Sequence, residues 1–174
     1  MSEKMNDTLD VSRPAPRHFS FSEPFWEGTR EKKVMLQYCR GSGRHQFYPR
    51  PVSIFTGRRD LEWREVSGRG EIFSYTTAVI ARPPFAGHTP YLIATVTLDE
   101  GVNVIANLIR CPLDQVAIGM RVRPTWAPLP DGTNLLLFEP DATVAPRDPR
   151  TATTAASPTS ARRSPRSHRH TGGR

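Results

Sequence analysis

Apolar and polar residues alternate with a period of two through the middle of the chain. From Gly70 to Ile80 this puts Phe73, Tyr75, Thr77 and Val79 on one face and Ile72, Ser74, Thr76 and Ala78 on the other. That predicts a long strand, with the Phe73–Tyr75 face reading either as barrel core or as a stacking platform. Tyr91–Leu98 predicts a second strand, with Leu92, Ala94, Val96 and Leu98 on one side. Asp99-Glu100-Gly101 is a tight-turn signal leading to a third strand over Val104–Ile109. Pro112–Val116 suits one helical turn. Val122–Trp126 predicts a fourth strand, and Pro124 puts it at an edge or bulge because proline cannot donate to a ladder. Asp131-Gly132 signals a turn before a fifth strand, Leu135–Glu139. The expected fold is mainly β. Five strands with a helical turn between the third and fourth is the order of an OB-fold barrel, with a small sandwich or SH3-like barrel as the alternative.

Upstream the texture differs. Ser22-Glu23-Pro24-Phe25-Trp26-Glu27 predicts a short helix. Ser22 is placed to cap it, Glu23 suits the positive end of the dipole, Pro24 is tolerated in the first turn, and Gly28 limits it. Val34–Tyr38 predicts a strand. Residues 39–59 are rich in Gly and Pro and read as loop. From Ala145 to Arg174 there is no large apolar side chain, so the segment cannot bury enough surface to offset its ordering entropy. The expected organisation is a loose leader over 1–17, a helix-and-loop unit over 18–66, the barrel over 67–143 and a disordered basic tail over 144–174.

Charge follows this division. The whole chain is +7, but residues 141–174 carry seven basic and two acidic side chains and hold most of the excess. Within 40–69 there are seven arginines (40, 44, 50, 58, 59, 64 and 69) against Asp60, Glu62 and Glu65. The charge is therefore one local patch plus a tail, not a generic polyanion-binding surface. The longest strongly apolar run, Leu135–Phe138, is far short of the roughly 20 residues a membrane helix needs. The first residues show no secretory signal. Two cysteines, Cys39 and Cys111, make no disulfide framework, so a reducing, cytoplasmic location is the expectation.

Candidate chemistry is sparse. The histidines of the ordered region, His18, His45 and His88, all fall in expected loops. His88 reads as a solvated loop residue or as a group facing a partner's active site. Cys111, ahead of Pro112, reads either as a thiol activated at a helix N-terminus or as a small half-buried loop residue. No phosphate-binding loop, zinc-protease motif or nucleophile elbow is present. Nothing here converges as a catalytic set, and no catalytic residue is assigned.

Several phrases together resemble a known family. Phe25-Trp26-Glu27-Gly28 precedes a strand ending in Cys39; Arg50-Pro51-Val52, Leu61-Glu62-Trp63, Ser67-Gly68-Arg69-Gly70, Phe73-Ser74-Tyr75-Thr76 and Ile118-Gly119-Met120-Arg121-Val122 follow in order. The set closely resembles the DUF35 family, in which a rubredoxin-like zinc ribbon precedes an OB-fold. The ribbon's four thiolate positions fall here on Cys39, Ser42, Ser53 and Thr56. Three of the four are hydroxyls, so the resemblance implies a degenerate ribbon that has lost zinc. Neither His45 nor a recruited Cys111 or His88 makes up a four-ligand set. Ile54 and Phe55 are candidates to pack where the metal stood.

The resemblance also implies a role. It points to a non-catalytic accessory subunit of a thiolase-like or MaoC-like hydratase partner in acyl-CoA metabolism, such as steroid or other lipid breakdown. CoA thioester is the implied ligand. Arg50, Arg58, Arg59 and Arg69 are candidate contacts for its phosphates, because guanidinium forks match phosphate oxygens. Phe47, Tyr48 and Phe55 lie among them as core or as a stacking surface. A single-stranded nucleic-acid binder is the rival, weakened by the few basic residues on the barrel strands. A ligand-free interaction module, docking through the proline-rich 82–90 loop, is the third reading.

Overall fold

The computed structural model describes residues 13–83 and 85–143. The expected disordered tail, from 144, lies outside the described residues. Helix α1 spans Glu23–Arg30 and is followed by eight strands: β1 (Val34–Cys39), β2 (Arg44–Gln46), β3 (Leu61–Val66), β4 (Gly70–Ala78), β5 (Tyr91–Leu98), β6 (Asn103–Leu108), β7 (Arg121–Pro128) and β8 (Asn134–Pro140). The first three form an antiparallel sheet in the order β2-β1-β3, and the last five close a barrel in the order β4-β5-β6-β8-β7. The five barrel strands are those the alternation predicts. β2 and β3 are additions, because a three-residue strand and the half-buried Leu61–Val66 carry little periodicity of their own.

The barrel core is built from the inward residues of each strand: Ile72, Leu92, Ala94, Val96, Leu98, Val104, Leu108, Val122, Leu136 and Phe138 among them. β5 alternates without fault, its four expected inward residues all buried. β4 does not. A bulge between Ile72 and Ser74 makes Phe73 the extra residue and shifts the register against β5. Phe73 is 61% exposed. Tyr75, opposite the buried Ala94, is 42% exposed, because β7 pairs with β4 only at Gly70 and Glu71. The reading of these rings as barrel core is thereby corrected. Pro124 sits where β7 has β8 alone as a neighbour, so its missing N–H breaks no ladder bond.

Three further expectations change. Ser22 holds the N-cap position but does not cap; its hydroxyl donates to the Phe19 carbonyl and accepts from the Phe19 N–H. The helix runs past Gly28 and stops near Lys32, whose φ of 58° is left-handed. Residues 112–116 form a turn closed by the Gln115 N–H on the Pro112 carbonyl, not a helix.

The ribbon sheet is tied to the barrel at three places. Thr29 is fully buried, and Asn134 at the start of β8 donates its backbone N–H to the Thr29 hydroxyl and its amide to the Thr29 carbonyl. Ser67 donates through both its N–H and its hydroxyl to Glu100. Gly68 joins the two units with φ +64°, and a Cβ there would lie 2.6 Å from Val34 and 3.1 Å from Pro124, both across the junction. Arg13, within the expected leader, lies against the barrel, bonded to Asn107.

Candidate functional site

The four positions that the family resemblance marks as ligands, Cys39, Ser42, Ser53 and Thr56, lie together. Cys39 ends β1, fully buried, and its sulfur lies 3.9 Å from the Thr56 hydroxyl. Zinc–sulfur bonds of about 2.3 Å in a tetrahedron place neighbouring ligands about 3.8 Å apart, and this one pair has that separation. Its occupant is a carboxylate. Asp60 accepts from the Cys39 thiol at 3.6 Å, the Thr56 hydroxyl at 3.1 Å and the Gly41 N–H at 3.2 Å. Ser53 caps the second turn, accepting from the Phe55 and Thr56 N–H groups. One thiol, three hydroxyls and an aspartate do not fit structural zinc, which takes four thiolate or imidazole donors. His45 pairs with Tyr38 across β1–β2 and meets its ring edge-on, on the face opposite Cys39.

Electrostatics at the knuckle follow from the bonds. Burial pushes the Cys39 thiol up, but hydrogen bonds from Ser42, Ser53 and Thr56 outweigh it and hold the thiol below its ordinary value. Asp60 behaves likewise: burial raises it, and bonds led by Thr56 bring it below the usual carboxylate range.

The 47–54 loop is held by two glutamines that sequence reasoning passed over. Gln37 and Gln46 are both buried and face each other across β1–β2. Gln46 donates to the Gln37 side-chain carbonyl at 2.8 Å and to the Val52 carbonyl at 3.3 Å, and accepts from the Ile54 N–H at 2.9 Å. Gln37 clasps both backbone groups of Arg50, at 2.8 and 2.9 Å. A polar residue inside an apolar strand is the one signal that could have found them. Ile54 is 56% exposed and does not fill the metal's place, which corrects that expectation. Phe55 is half-buried under the Arg44 guanidinium, 4.2 Å from its centroid.

The candidate phosphate contacts separate into two groups. Arg50, Arg58 and Arg59 are exposed, and among the described residues no carboxylate pairs with them. Arg69 lies 3.8 Å from the buried Asp141, so its charge is answered at the barrel. Arg40 and Arg64 both turn to Glu62. Asp60 is engaged in the knuckle and neutralises none of them. Arg44, Arg50, Arg58 and Arg59 therefore remain without a carboxylate among the described residues. Beside Arg50, an apolar pocket of about 180 Å³ opens between α1, the loop and the barrel, lined by Phe25, Trp26, Phe47, Tyr48, Val104 and Leu136.

The other singled-out residues are not brought to this pocket. Cys111 is 1% exposed and packs in the barrel core, and burial followed by the nearby Asp114 raises its thiol, the opposite of activation. His88 is exposed in the 82–90 loop. Among the described residues no three His, Cys, Asp or Glu side chains group as a metal site. No described helix is long and apolar enough to cross a membrane.

Comparison with known proteins fits this geometry. The C-terminal OB-fold domain family of ChsH2 matches residues 63–127, which is β3 through most of β7. A DUF35 domain-containing scaffold protein from Pyrococcus furiosus is 31% identical over 100 residues, 56% of this chain and 72% of that protein. The chain belongs to the DUF35 family. Another relative is the 3-oxo-4,17-pregnadiene-20-carboxyl-CoA hydratase alpha subunit of Mycobacterium tuberculosis, 36% identical over 67% of this chain. This chain spans only 37% of that subunit's length, and 43% of a probable enoyl-CoA hydratase alpha subunit from Thermomonospora curvata at 30% identity. Among solved structures, a chain of the Ltp2-ChsH2(DUF35) aldolase superposes with a TM-score of 0.65 at 27% identity, covering 72% of this chain and 98% of that one.

Proposed function

We propose that this chain is a non-catalytic accessory subunit that docks on a larger lipid-metabolising enzyme, thiolase-like or MaoC-like, and helps to hold its acyl-CoA. The carrying observation is the likeness to nearly the whole of a DUF35 chain from an aldolase assembly. The hydratase-subunit names of the curated relatives support the same class of work. Arg50 follows Pro49 of the apolar pocket's lining, and an unpaired guanidinium next to an apolar pocket suits a ligand with phosphates at one end and a chain at the other, with Arg58 and Arg59 as further candidate phosphate contacts. Arg69, engaged with Asp141, leaves that set. The ribbon works without zinc, its shape kept by Asp60 and the two glutamines, and the unpaired cysteines suit a reducing cytoplasm.

Co-expression with the thiolase-like and hydratase-like proteins of the same genome, followed by gel filtration, tests the docking. A stable complex with one of them is expected, and elution alone from all of them at micromolar concentration would refute it. Replacing Arg50, Arg58 and Arg59 by Gln together is expected to weaken acyl-CoA binding by the complex at least tenfold. Elemental analysis of purified protein tests the metal: well under one zinc per chain is expected.

A further inference from the structure

Among the described residues, Arg13 is a half-buried arginine of the barrel surface that meets no acid. Arg69 meets Asp141, Arg121 meets Asp99, and Arg110 and Arg123 share Glu139. Arg13 instead donates from Nη2 to the neutral side-chain carbonyl of Asn107 at 3.3 Å, with its guanidinium 5.5 Å from the Phe85 ring centroid. Its Nη1 is shut off from solvent and meets no acceptor among the described residues. Burial holds its pKa below the ordinary arginine value. Arginine cannot shed its proton in compensation, and a desolvated charge without a counter-charge is costly. The arrangement is complete only with an anion.

What lies beside Arg13 is apolar. β6 and β8 run parallel and pair only at Leu108 and Phe138, so they part toward their N-terminal ends. The seam is a groove of about 290 Å³ whose lining includes Phe85, Tyr91, Ile93, Ile105, Asn107 and Leu137. Ile105 is 59% exposed there. Through Ile105 and Leu136 the groove continues into the pocket beneath α1. Asn107 is fixed by its own donation to the Leu92 carbonyl, which leaves its oxygen to position Arg13.

We propose that this seam binds a small amphiphile, an apolar chain ending in a compact anion, with the partly exposed Arg13 guanidinium at the groove's edge answering the anion and Asn107 positioning it. The anion is a carboxylate or a phosphate; a free acyl acid would present the first and an acyl-CoA the second. The site does not rest on the docking of a partner enzyme.

Isothermal titration of the full chain with decanoate, decanol, decanoyl-CoA and CoA tests it. Decanoate or decanoyl-CoA is expected to bind, and decanol at least tenfold more weakly. Arg13→Gln should weaken the anionic ligand about tenfold or more and leave decanol unchanged. Arg13→Lys should restore part of the loss, and Ile105→Asp should weaken every ligand. Preference for decanoate assigns the acyl acid as the source. Preference for decanoyl-CoA, with Arg13-dependent binding of CoA alone, assigns the phosphate. No binding of either at millimolar concentration, or equal affinities for wild type and Arg13→Gln, would overturn the proposal. Gel filtration of Arg13→Gln with the partner enzyme keeps the two questions apart: complex formation should be unchanged.

Discussion

The ribbon's dependence on Gln46 can be weighed in numbers. Gln46→Leu keeps the volume and removes three hydrogen bonds: to Gln37, to the Val52 carbonyl and from the Ile54 N–H. At about 1 kcal/mol net each, that is about 3 kcal/mol. Leucine returns about 1 kcal/mol, because burying its apolar end is favourable where an amide stood. The groups left behind are partly rescued, since the Arg50 N–H still reaches Gln37 and Ile54 lies at the surface. The net loss is then about 2 kcal/mol. With about 2.1 cal/mol/K per residue of unfolding entropy over about 130 ordered residues, this lowers Tm by about 7 °C. Calorimetry of the two proteins at equal concentration measures it. Ile54→Ala is the control, expected within about 0.5 kcal/mol because the side chain is exposed. A Tm within 2 °C of wild type for Gln46→Leu, with a larger drop for Ile54→Ala, would refute the reasoning and return the loop's stability to apolar packing.

The Cys39–Thr56 separation makes a constructive prediction: Ser42→Cys, Ser53→Cys and Thr56→Cys together, with Cys39, should bind one zinc per chain, and a variant that takes up no metal would show that the positions have drifted apart. Gly70→Ala would set a Cβ 2.3 Å from the Thr97 carbonyl oxygen and 2.9 Å from Leu98 Cα, both backbone atoms that cannot give way. It should cost about 3 kcal/mol or more in urea unfolding, and a loss under about 1 kcal/mol would contradict the barrel's closure there. Asp131 and Asp141 are held below the usual carboxylate range chiefly by hydrogen bonds from Thr133 and Thr143, and Asp60 by those of the knuckle against its burial. Depressed folded-state values mean that their stabilisation is present above the unfolded value near 3.8 and is lost as pH falls through the folded values. Melting temperature should therefore hold from pH 7 to about 5 and fall below about 4, and the triple Asp→Asn variant should flatten that acid limb; an unchanged limb would exclude these groups as its source.

The alternation along the chain determined the five barrel strands, because a strand with one face buried must repeat every two residues. The ribbon, and the three hydroxyls at its four thiolate positions, came from the family resemblance and not from the alternation. The alternation could not show what replaced the thiolates. Gln37, Gln46 and Asp60 are ordinary polar letters in sequence, and only the antiparallel register of β1 with β2 and the return of the chain at residue 60 bring them to the loop and the thiol. Nor could it expose Phe73 and Tyr75, since a bulge adds one residue without breaking the apparent period. Cys111 looked the same in sequence whether activated or inert, and burial decided the matter. Arg13 and Asn107 stand 94 positions apart. Hydrophobic periodicity is local and survives in the sequence. Neutralisation and hydrogen-bond satisfaction are long-range, and only the closed barrel and its packed ribbon decide which charge has a partner and which is left waiting for one.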